Sequence, residues 1–218
     1  MATFVVIPGA GDVASNWDLV AAELRERGHE VVGVDLPVDD ESAGLAEYAD
    51  TVVAAIGDRG DLVLVAHSLG AFTAPLVCAR VPVELIVLVA GMVPVPGERA
   101  ADWWSNTGYA EAPTREYDGE MELFMQDVPP DLAAAALAKE RDQAARPTMD
   151  RWPLQRWPDV PTRYLLCRDD RLLPAEWIRG VVRERLGVEA DEIDGGHCVY
   201  LSRPANLAER LVSFAAGG

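Results

Sequence analysis

Leu62-Val63-Leu64-Val65-Ala66-His67-Ser68-Leu69-Gly70 is the stretch on which the reading of this chain turns. Its first four residues are an unbroken Leu/Val run, the pattern of a strand buried on both faces, as in the middle of a parallel sheet. The spacing predicts a sharp turn at Ser68 into a helix beginning near Leu69. A serine at such a strand-turn-helix elbow is driven to positive φ and its hydroxyl is pushed out over the sheet edge. A residue held that way crowds the positions two before and two after it. Here those are Ala66 and Gly70, both small.

On either side of this elbow, strand and helix signals alternate. Strands are expected at Phe4–Ile7, Glu30–Val34, Leu62–Val65, Glu84–Val89, Tyr164–Cys167 and Glu189–Ile193. The first helix is predicted to start near Ser15, with Asp18 as a capping-box partner, to bury Trp17, Val20, Ala21 and Leu24, and to stop at Gly28. A second presents Leu45, Tyr48, Ala49, Val52, Val53 and Ile56 on one side and ends at Gly57. Pro75 falls inside the helix after Ser68, where it should remove a hydrogen bond or kink the chain. Later helices are expected from Pro174, stopping at Gly187, and from Pro204, burying Leu207, Leu211 and Phe214. The alternation implies a parallel sheet with helices on both faces.

The alternation lapses over residues 93–161. This segment carries Trp103, Trp104, Tyr109, Met121, Phe124, Met125, Trp152 and Trp157, and an alanine-rich helix near Leu132–Arg141. It far exceeds the roughly 12–15 residues of a plain connection, so it is expected to be an inserted lid within one domain spanning 1–218. Its adaptable Met and aromatic side chains suit an apolar pocket. Trp103, Trp104 and Phe124, with Met92 and Val93 after the fourth strand, are the candidate pocket residues.

Composition narrows the function. The formal charge of −17 at pH 7 argues against nucleic acid and anionic membrane surfaces as partners, and disfavours highly anionic substrates. No apolar run of about 18 residues is present, so no membrane span is expected. The N-terminus reads as a strand and not as a signal peptide, and the three cysteines, Cys78, Cys167 and Cys198, lack metal-ligand spacing. The expectation is a cytoplasmic monomer or homodimer with reduced thiols, no metal and no cofactor.

Three further signals fall at the carboxyl ends of predicted strands, where open parallel sheets place their sites. They are Ile7-Pro8-Gly9-Ala10-Gly11, Cys167-Arg168-Asp169-Asp170 and Gly195-Gly196-His197. His197 is the candidate base, since His29 lies at a helix-to-strand junction and His67 is expected to point away from Ser68. Asp12 is expected to be solvated, Asp35 to order a turn and Cys198 to pack. The order Ser, Asp, His along the chain is that of α/β-hydrolases.

On these residues the chain resembles a small α/β-hydrolase of the serine-nucleophile branch over essentially its whole length. It is similar to small bacterial esterases and to the plant methyl-esterase and hydroxynitrile-lyase group, against which Ile7 through Trp17 aligns without a gap. The resemblance implies six strands, mainly parallel, in the order 2-1-3-4-5-6, with the helical lid after strand four. It implies a triad of Ser68, His197 and an acid. The family's Asp-x-x-x-Pro pattern falls on Asp170 and Pro174, with Asp169 as the neighbouring alternative. It also implies an oxyanion hole from the N–H groups of Ala10 and Leu69. The lyases carry Thr at the position of Gly9 and Lys at that of Cys198, so Gly9 follows the esterase pattern, while Pro8 replaces the usual His. The implied activity is hydrolysis of an ester or lactone with apolar groups. A biosynthetic tailoring enzyme using the same pocket, or a ligand-binding protein of hydrolase descent, is the alternative.

Overall fold

The computed structural model describes residues 1–114 and 116–217; Arg115, inside the expected lid, and Gly218, the end of the expected domain, lie outside the described residues. Six strands form one sheet: β1 (Thr3–Ile7), β2 (Glu30–Gly33), β3 (Leu62–His67), β4 (Leu85–Val89), β5 (Thr162–Cys167) and β6 (Asp191–Ile193), in the order β2-β1-β3-β4-β5-β6. Every pairing is parallel, with Val5 opposite Leu64 and Val65 opposite Val87 in the central register. The expected order therefore holds. The three central strands are buried along their whole lengths, which is why they read as continuous apolar runs and not as alternating ones. Helices α1 (Asp18–Glu26), α2 (Leu45–Ile56) and α3 (Ala74–Val77) follow the first three strands.

Between β4 and β5 the chain makes α4 (Ala100–Asn106), α5 (Gly119–Phe124), α6 (Pro130–Leu137) and α7 (Arg146–Met149). Beyond β5 come α8 (Ala175–Leu186), α9 (Val199–Ser202) and α10 (Pro204–Ala216). No helix is long and apolar enough to cross a membrane among the described residues.

The helix starts differ from expectation in two places. Residues Ala14–Trp17 form a 3-10 turn, and no side-chain cap from Ser15 precedes α1. The stretch after Ser68 is also broken: a 3-10 turn covers Ser68–Phe72 and α3 starts afresh at Ala74. Pro75 thus sits in the first turn of a new helix, where a missing N–H costs no hydrogen bond. The proline that is awkward in one long helix is well placed in two short ones.

Candidate active site

Ser68 terminates β3 with φ +48°, in the left-handed region, and its main chain turns at once into the 3-10 segment. The small neighbours have a concrete cause. A Cβ on Gly70 would stand 2.6 Å from the carbonyl oxygens of both Ile7 and Pro8, so the end of β1 leaves no room for a side chain there. Gly9 is equally confined, since its Cβ would lie 3.0 Å from that of Ser68.

His197 and Asp170 arrive from the ends of β6 and β5. The His197 Nδ1–H donates to Asp170 Oδ2 at 2.8 Å, and both residues are buried. The other oxygen, Asp170 Oδ1, accepts the N–H groups of Leu172 and Leu173 at 2.8 and 2.9 Å, which fixes the carboxylate's orientation. Asp169 is spent elsewhere, its Oδ2 accepting the N–H of Gly195 at 3.2 Å.

Ser68 and His197 line one cavity of about 620 Å³, together with Gly9, Ala10, Leu69 and Met92. Apolar wall comes from Ala100, Ala101, Trp104, Phe124 and Leu172, and acidic side chains from Asp12, Glu120 and Glu140. Burial, reinforced by the charges of Asp12 and Glu120, raises the Glu140 carboxyl to about 7.

Of the candidate pocket residues, Met92, Trp104 and Phe124 line this cavity, whereas Val93 and Trp103 do not. Both are fully buried, and the Trp103 indole N–H donates to the Val93 carbonyl at 2.9 Å. They join the β4–β5 segment to the sheet. Asp12 is not solvated: it is 6 % exposed and accepts hydrogen bonds from the Val13 N–H, Asn16 Nδ2 and Trp17 Nε1. Its burial raises its pKa.

His67 lies beneath His197 instead of pointing away. Its Nε2–H donates to the His197 carbonyl at 3.1 Å, and the two rings are 4.6 Å apart. Burial, with His197 beside it, holds His67 well below the ordinary imidazole range, so it stays neutral. Tyr200, stacked on Trp17 at 4.3 Å, completes this wall. Its place three residues after His197 is the one sequence signal that could have found it. Ala100 and Ala101 offer none.

The β4–β5 segment closes on two loops of the site. Arg141 donates its N–H to the Gly11 carbonyl at 2.8 Å, and Gln143 Oε1 accepts the Gly11 N–H at 3.3 Å. Earlier in the segment, Phe124 and Asp127 bond the backbone around His197.

The model of the Alpha/beta hydrolase family matches residues 4–210. The chain belongs to that family. It is 26 % identical to Methylesterase 7 of Arabidopsis thaliana over 251 residues, covering 97 % of this chain and 95 % of that one. It is 27 % identical to Probable esterase PIR7A of Oryza sativa subsp. indica over 255 residues, covering 98 % and 96 %. Among solved structures, an extracellular alpha/beta-hydrolase from a Paenibacillus species, described as sharing structural and functional homology with tobacco salicylic acid binding protein 2, superposes with a TM-score of 0.82. That pair shares 23 % identity over 99 % of each chain, a likeness of fold. This alpha/beta hydrolase thus spans nearly the full length of each of these relatives.

Proposed function

We propose that this alpha/beta hydrolase is a serine esterase that cleaves a neutral carboxylic ester or lactone with apolar groups. The observation that carries the reading is the convergence of Ser68, strained at φ +48°, with His197 in one cavity, the imidazole held by Asp170. Esterase names among the full-length relatives support it.

In this reading Asp170 keeps the proton on Nδ1, which leaves Nε2 free to accept the Ser68 hydroxyl proton as Oγ attacks the acyl carbon. The imidazolium then protonates the leaving alkoxide, and water deprotonated by the same nitrogen releases the acid. The carbonyl oxygen, negative in the intermediate, is stabilised by the N–H groups of Ala10 and Leu69. Leu69 is the second residue of a 3-10 turn, where the backbone N–H has no acceptor within the turn. The β4–β5 segment is the lid: Trp104 and Phe124 supply apolar wall to the cavity. Gly9 follows the esterase pattern, and a Cβ there would stand 3.0 Å from the Ser68 Cβ and 3.1 Å from His67 Nδ1.

A fluorophosphonate probe followed by mass spectrometry tests the reading directly. Ser68 should carry the adduct, and Ser68→Ala and His197→Ala should both abolish it. A folded protein that takes no label would overturn the proposal. Positive labelling leads to a panel of p-nitrophenyl esters and lactones.

A further inference from the structure

We propose that Asp127, on the lid, is a positioning residue that holds the loop bearing His197. The inference rests on the esterase reading for His197 as base, and on the geometry below for everything else.

His197 sits in Gly195-Gly196-His197-Cys198, a loop between β6 and α9 whose two glycines give it little stiffness of its own. Three of its four backbone N–H groups are met from outside the loop. Gly195 donates to Asp169 Oδ2 at 3.2 Å, Gly196 to Asp127 Oδ2 at 3.1 Å, and Cys198 to the Phe124 carbonyl at 3.3 Å. The last two acceptors belong to the lid. Beside them, Gln126 Nε2–H donates to the Asp169 carbonyl at 2.8 Å, joining the same lid turn to the loop that carries Asp170. From below, His67 Nε2–H holds the His197 carbonyl. The base is therefore gripped between the sheet and the lid.

The contact is close: a Cβ on Gly196 would stand 2.5 Å from Gln126 Nε2 and 2.8 Å from Asp127 Oδ1, so a side chain there would displace the ends of both. Asp127 also bears a cost. Its Oδ1 is buried without a hydrogen-bond partner among the described residues, and the nearest cation, Arg203, lies 4.0 Å from Oδ2. The Asp127 side chain is 18 % exposed, and a carboxylate with one oxygen buried and unpartnered is a poor device for stability alone. Its return is a fixed Gly196, and through it a fixed imidazole between Asp170 and the cavity.

The test compares wild type, Asp127→Ala and Asp127→Asn by three readouts. These are hydrogen exchange of the peptide spanning residues 194–201, kcat and KM on the best p-nitrophenyl ester, and thermal unfolding. Asp127→Ala should speed exchange in that peptide while other peptides hold. It should lower kcat about 10- to 100-fold with KM within about threefold, the signature of a misplaced base and not of lost binding. Asp127→Asn retains an acceptor oxygen and should recover most of both. If Asp127→Ala does not fold, Asp127→Leu, close in volume and without an acceptor, replaces it. Unchanged exchange, unchanged kcat, or equal losses in Ala and Asn would each overturn the proposal. The exchange readout needs no substrate, so a wild type that hydrolyses no ester defeats the esterase reading while unchanged exchange still defeats this one.

Discussion

The sheet and the β4–β5 segment, the proposed lid, contribute to the same cavity by different physical means. On the sheet side, placement is a matter of backbone sterics at strand ends. Ser68 stands at positive φ, and the elbow around it leaves no room for side chains: a Cβ on Gly70 would meet the carbonyl oxygens of Ile7 and Pro8 at 2.6 Å, and one on Gly9 the Ser68 Cβ at 3.0 Å. On the lid side, long-range side-chain bonds add to a few backbone contacts such as that of Arg141 with Gly11. Glu98 and Arg185 form an ion pair, 1 % and 7 % exposed, that ties the start of the lid to α8. The Trp152 indole N–H donates to the Phe72 carbonyl at 3.1 Å and fastens its far end. Local sterics give a rigid elbow that few substitutions can enter. Buried polar anchors give a lid that one substitution can loosen.

Perturbing the two sides should therefore give different phenotypes. The largest effect is expected at the sheet side from Asp170→Asn, which presents an N–H or a reoriented amide to His197 Nδ1 and stabilises the wrong tautomer. Ester turnover should drop by about 10⁴-fold, with the unfolding midpoint nearly unchanged. A loss below tenfold would remove Asp170 from the mechanism. Gly70→Ala comes next. Its methyl meets two carbonyl oxygens at 2.6 Å, so the elbow or the end of β1 must move. We expect about 100-fold in kcat/KM, since shifts near 1 Å at a nucleophile cost that much. Near-wild-type rates would show that the elbow is softer than its packing implies.

At the lid side, Glu98→Gln leaves Arg185 buried without its counter-charge. Urea melts should record a loss of about 3–5 kcal/mol, while the folded variant still labels at Ser68. A loss under about 1 kcal/mol would mean that the lid is not anchored by this pair. The smallest effect is a pH slope, at His67, on the sheet side beneath His197. Burial lowers the His67 pKa in the folded protein, so its contribution to stability is complete above about pH 6.5 and is lost as pH falls below that value. The unfolded chain gains a proton that the folded one resists, at about 1.4 kcal/mol per pH unit. His67→Gln lacks this linkage, so the stability gap between wild type and variant should narrow on acidification. A gap that is constant between pH 7.5 and 5.5 would refute the neutral, buried imidazole.

How far each residue was legible in the sequence follows the same division. The strands and the elbow were legible because they rest on local patterns: unbroken apolar runs, small residues about Ser68, glycines closing helices; the strand order came only from the family resemblance. Pro75 was a puzzle only while the chain after Ser68 was taken as one helix; the break after Phe72 dissolves it. Asp12 was misread because an aspartate in a glycine-rich loop has no local mark of burial. Its partners Asn16 and Trp17 close over it through the 3-10 turn.

The aromatic residues of the lid show the limit most plainly. Trp103 and Trp104 are adjacent and chemically identical, yet one is sealed against the Val93 carbonyl and the other faces the cavity. Asp127 carried no signal at all, for its partner Gly196 lies 69 residues away. By itself the sequence determined the parallel sheet, the turn at Ser68 and the strand ends from which Asp170 and His197 come, because each depends on residues near one another in the chain. Only the tertiary structure decided which carboxylate meets His197, which residues of the β4–β5 segment reach the cavity and which groups bond the loop around His197, because those are contacts between distant segments whose packing no local pattern encodes.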